Sequence, residues 1–134
     1  ADVSRFAGQV VAAVEPGPAA AAVLSAAADI AQRHNLPLNA VTVDPATEDQ
    51  SMIPDLLARL QAKHQGLRCS VHTLSGRPVQ EITEAARDSW LLVVGTRGIS
   101  GLPGMIRGSV SQALLQHLTS PVLVVPDISS EESK

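Results

Sequence analysis

Residues 90–109, W-L-L-V-V-G-T-R-G-I-S-G-L-P-G-M-I-R-G-S, restrict the possible fold more than any other stretch. The continuous apolar run 90–94, opening at Trp90, reads as a strand buried on both faces, the habit of parallel sheets. It stops at Gly95, passes through a glycine-rich loop and gives way at Ser109 to an amphipathic run, so a helix N-terminus faces the loop. The unpaired N–H groups and positive dipole end of that helix make the junction an anion site, most often for phosphate. Glycines at Gly95, Gly98 and Gly108 let the backbone approach the anion and permit positive φ where a side chain would clash.

The rest of the chain alternates in the same way. Strands are expected at 9–14, Leu38–Val43, 68–74 and Val122–Val125. Between them lie an Ala-rich helix at 19–33 (Val23, Leu24, Ala27, Ile30 and Ala31 inward), a helix from Pro54 to about Gln65 (Leu56, Leu57 and Leu60 inward) and one from Pro78 to about Asp88 (Val79, Ile82 and Ala86 inward). A fourth follows Ser109, with Val110, Ala113, Leu114 and Leu118 inward. The turn Glu15-Pro16-Gly17-Pro18 ends the first strand, His34-Asn35 the first helix and Gly66 the second. Strand 68–74 alternates polar and apolar, as at a sheet edge with one wetter face. Five strands alternating with four helices imply an α/β, doubly wound parallel sheet with right-handed crossovers and helices on both faces. In such a sheet ligands sit beyond the carboxyl ends of the strands, where the strand order reverses.

Composition narrows the function. The 134 residues suit one domain, with 127–134 read as a disordered tail. With 45% hydrophobic residues but one Trp, one Phe and no Tyr, the core has to come from Ala, Val, Leu and Ile. The net charge is −3, and eight Arg and two Lys are scattered along the chain, so neither a nucleic-acid footprint nor a polybasic membrane anchor is present. There is no signal-peptide pattern and no apolar run of spanning length. The single Cys69 excludes an internal disulfide, suits a reducing cytoplasm and is expected as a small buried filler. The chain starts at Ala1 instead of Met, which fits a processed chain or part of something larger.

The spacing Gly95-x-x-Gly98, nine residues, Gly108-Ser109 resembles the nucleotide-binding signature of the universal stress protein family, in its ATP-binding branch. V-V-G-T-R-G before the loop, then G-S-V-S-Q and P-V-L-V-V after it, extend the resemblance over about forty residues. The resemblance implies strand order 3-2-1-4-5, which puts the reversal between the first and fourth strands. Gly95 and the Glu15 turn then share one crevice. Gly95 and Gly98 would shape the turn beside ribose and phosphates, and Gly108 and Ser109 would bind phosphate. By the same resemblance Val110 would add a backbone N–H, Val94 would line the crevice, and the backbone near Val43 would meet the adenine. Many members carry an Asp after the first strand that contacts the nucleoside, followed two residues later by Ser; by this resemblance Glu15 would take that place with a longer carboxylate, in a turn that Pro16 and Pro18 stiffen.

No Lys follows Gly108, so this is not a Walker A loop; Arg97 and Arg107 are the cations within it. His34, His64, His72 and His117 show no pair at metal spacing, and magnesium accompanying ATP would need few protein ligands. The last strand, bracketed by Pro121 and Pro126, is an apolar edge without Lys. Family dimers imply that the same strand of a second chain covers it. The expected activity is that of a homodimeric, cytoplasmic, ATP-binding sensor or regulatory domain. Two alternatives stand beside it: slow ATP hydrolysis or self-phosphorylation at Ser109 or Ser111, and a nucleotide-free domain for an unidentified protein partner, attached to a transporter or forming half of a tandem protein.

Overall fold

The computed structural model describes residues 5–15, 17, 20–44, 51–95 and 120–125. Among them, in chain order, are β1 (Val10–Ala13), α1 (Ala20–Arg33), β2 (Leu38–Val43), α2 (Met52–Lys63), β3 (Cys69–Leu74), α3 (Pro78–Ala85), β4 (Leu91–Gly95) and β5 (Val122–Val125). The expected fourth helix, the glycine-rich loop before it and the 127–134 tail lie outside the described residues. All five strands are parallel, in the order β3-β2-β1-β4-β5. That is the order the resemblance implied, with β1 seated between β2 and β4.

Side-chain alternation along the strands separates two cores. Val10, Ala12, Leu38, Ala40 and Val93 face α1 and α2, which bury Val23, Leu24, Ala27, Ala31, Ile53, Leu57 and Leu60 against them. Val11, Val41, Leu92 and Val94 face the other way, onto Phe6 and the Ile82, Ala85 and Ala86 surface at α3. The alanines of α1 carry no bulk beyond Cβ, so the helix can lie close to the sheet. Ala28 is buried there, whereas Ile30, expected inward, is only half-buried.

Several boundaries differ from the sequence reading. Helix α2 starts at Met52, two residues before the expected Pro54. Proline falls in the first turn, where its missing N–H has no intrahelical partner to lose. Helix α3 stops at Ala85, and a turn follows in which Asp88 takes φ of 60°. A non-glycine residue in the left-handed region ends the helix without the glycine that would have marked the stop. Asn35 does the same for α1 at φ 57°, and Gly66 follows α2 at φ 86°. Strand β4 is shifted by one residue: Trp90 lies outside it, exposed and stacked on His34, and Gly95 lies inside it. Cys69 is half-buried at the margin of the α1/α2 core instead of inside it, and that burial pushes its thiol pKa up.

Candidate functional site

The reversal of strand order falls between β1 and β4, and the carboxyl ends of β1, β2 and β4 lie side by side there. Val14 N–H donates to Val41 O at 3.0 Å, and beyond that bond the chain leaves the sheet at Glu15. β4 runs further, with Gly95 paired to Val125 of β5. Val94 and Gly95 point to opposite faces. Val94 is buried on the α3 side, in the same cluster as the half-buried Val43 and Ala13.

Positive φ is not why residue 95 is glycine, and packing supplies one reason. Gly95 is buried in extended strand, and a Cβ there would lie 2.9 Å from Val23 Cγ2 of α1. Close packing of α1 onto β4 therefore requires the missing side chain, independently of any anion. Glu15 is exposed overall, yet neighbouring protein atoms crowd its carboxyl, and partial desolvation raises its pKa.

At the end of β2 the hydrogen-bond alternation turns the Val43 backbone towards β1. Asp44 N–H donates to Leu74 O of β3 at 2.8 Å. Successive residues of a strand direct their N–H and C=O groups to alternate sides, so those of Val43 face the β1 side, where β1 has already ended at Ala13. Asp44 itself has φ of 47°, and its Oδ2 accepts from Gly76 N–H at 3.1 Å. Gly76 has φ of 135°, and the place of its missing Cβ is occupied by the Glu81 side chain, with Oε2 at 2.7 Å. Asp44 and Gly76 were not singled out from sequence. The available signals were an Asp directly after a strand and before Pro45, and the Ser75-Gly76 pair directly after β3.

The structure thus brings Glu15, Val43, Val94 and Gly95 to one end of the sheet. Arg97, Gly98, Arg107, Gly108, Ser109 and Val110 lie outside the described residues. Among the described residues no group of three or more His, Cys, Asp or Glu could hold a metal ion. Nor, among them, is any helix long and apolar enough to cross a membrane.

Residues 7–126 match the model of the universal stress protein family. The chain belongs to the universal stress protein family. It is 41% identical over 70 residues to universal stress protein YxiE of Bacillus subtilis, covering 51% of this chain and 47% of that one. It is 29% identical over 131 residues to a universal stress protein of Mycolicibacterium smegmatis, covering 87% and 45%. The chain therefore spans about half the length of these relatives. In fold it is similar to a universal stress protein in complex with cAMP, with a TM-score of 0.70, 24% identity and coverage of 90% and 98%. It is also similar to the Archaeoglobus fulgidus universal stress protein in complex with dAMP, with a TM-score of 0.62, 22% identity and coverage of 89% and 98%.

Proposed function

We propose that this chain binds an adenine nucleotide, ATP foremost, in the crevice at the carboxyl ends of β1 and β4, and acts as a homodimeric regulatory or sensor domain in the cytoplasm. The observation that carries this reading is the convergence, at the reversal of strand order, of the Val43 backbone, which faces β1 beyond its last paired residue, with a strand that ends at Gly95. Val43 would receive the base through its backbone. Gly98, Gly108, Ser109 and the Val110 N–H would receive the phosphates, with Arg97 and Arg107 as cations. Two family members of this fold are in complex with cAMP and dAMP, both adenine nucleotides. Edge strand β5 supports the dimer: Val124 is 45% exposed, and the expected partner is the same strand of a second chain.

A second reading, a nucleotide-free interaction domain, is favoured by the Glu15 carboxylate, which puts negative charge beside the crevice. Calorimetric titration with ATP, ADP and AMP in magnesium, on the wild type and on Gly108→Asp, separates the two. Binding by the wild type alone supports the nucleotide site, and the ranking of ATP over AMP reports whether phosphates matter. A wild type that folds and dimerises but binds none of the three supports the second reading.

A further inference from the structure

We propose that Asp44 is a positioning residue for base recognition: it locks the end of β2 to the β3–α3 turn and so fixes the backbone edge of Val43. This rests on the adenine-nucleotide reading of the crevice. Asp44 is bound through both its main chain and its side chain. Its N–H extends the β2–β3 ladder by one bond to Leu74 O at 2.8 Å, and its Oδ2 takes the Gly76 N–H at 3.1 Å. Between these bonds its backbone holds φ of 47°, a region open to Asp and Asn at little strain and disfavoured for other side chains.

The partner turn is equally restricted. Gly76 at φ 135° holds a conformation that L side chains rarely adopt, and Glu81, in the first turn of α3, fills the space a side chain would need. Asp44 therefore ties the end of β2 to β3 and to the turn after it, one residue from the N–H and C=O of Val43. Those two groups form a donor and acceptor pair at fixed spacing. Such a pair distinguishes an amino group from a carbonyl on the base only while its orientation is held. The carboxylate acts through Val43 and has no contact with the ligand to make.

The test compares ATP with inosine triphosphate, which carries the same phosphates and ribose but a carbonyl in place of the adenine amino group. Affinities are measured by calorimetry on the wild type, Asp44→Ala and Asp44→Asn, with circular dichroism and thermal midpoints confirming that each is folded. The wild type is expected to prefer ATP. Asp44→Ala should lower ATP affinity roughly threefold to tenfold while leaving inosine triphosphate nearly unchanged, as for loss of one modest hydrogen bond. Asp44→Asn, which keeps the acceptor and the left-handed backbone, should restore the preference. A general loss of fold would lower both affinities together. An unchanged ratio in folded Asp44→Ala, or a wild type that binds both nucleotides equally, overturns the proposal while leaving the crevice intact. A wild type that binds neither overturns the adenine-nucleotide reading itself.

Discussion

The two ends of the sheet are built in opposite ways. At the amino end, side chains and backbone close the structure on itself. Asn39 Nδ2 donates to Gln9 Oε1 at 2.8 Å and to Val10 O at 3.3 Å, and its Oδ1 lies 3.3 Å from His72 Nε2. Phe6 packs on His72 with ring centroids 4.7 Å apart, His34 packs on Trp90 at 4.6 Å, and Trp90 N–H donates to Gln9 O at 2.7 Å. At the carboxyl end, β1 stops before its neighbours: its last paired residue, Ala13, lies opposite Val41, and β2 runs on to Val43. The lesson is that the closed side-chain network and the proposed ligand crevice lie towards opposite ends of the same strands, so most substitutions at each should separate in their effects.

The sharpest way to break this comparison is Asn39→Ala, which removes the hub of the amino-end network. It should lower stability by about 2–3 kcal/mol in urea unfolding while leaving nucleotide affinity unchanged. A change in affinity without a change in stability would reverse the assignment. Gly95→Ala comes next, because a Cβ would press on Val23 and cost about 1–3 kcal/mol. This residue belongs to packing and, in the proposed function, to the crevice, so both unfolding and binding should respond.

A smaller effect follows from pH. Burial and then the Arg5 charge lower the His72 pKa from its ordinary 6.5. The unfolded chain then takes up this proton before the folded one. The stability due to neutral His72 is complete above pH 6.5 and declines as pH falls through the window beneath it. His72→Gln should remove that part of the slope in unfolding curves recorded from pH 7.5 to 5.5; an identical slope would remove His72 from the account. The smallest change is expected from Glu15→Gln. Loss of a negative charge beside the crevice should raise ATP affinity roughly twofold to fivefold at low salt and less at high salt. An unchanged affinity would place the phosphates away from Glu15.

Much of this fold was legible in the residues, for reasons that can be named. Strand β5 is an unbroken apolar run and β2 a mostly apolar one; both are bounded by polar residues or proline, and both have the expected limits. The alanine stripe of α1 marked its buried face. What stayed hidden depended on tertiary contact or on uncommon backbone. Nothing local shows that Gly95 answers to Val23, more than seventy residues earlier. Asp44 and Asp88 both take positive φ in place of the glycine that would advertise it. Trp90 looks like the first residue of a buried strand until His34 is seen beside it. For the candidate site, Glu15 and Gly95 were placed by strand ends and Val43 and Val94 by the family resemblance, whereas the Asp44–Gly76 tie joins two turns that only the β2–β3 pairing brings together.

The most direct measurement is an amide chemical-shift map of the labelled protein during titration with ATP and magnesium. The account predicts that Glu15, Val43, Asp44 and Gly95 shift with increasing nucleotide, while Gly8, Asn39 and the Trp90 indole stay where they are. Shifts concentrated on Gly8, Asn39 and Trp90, or saturable binding that leaves Val43 and Gly95 unmoved, would contradict it.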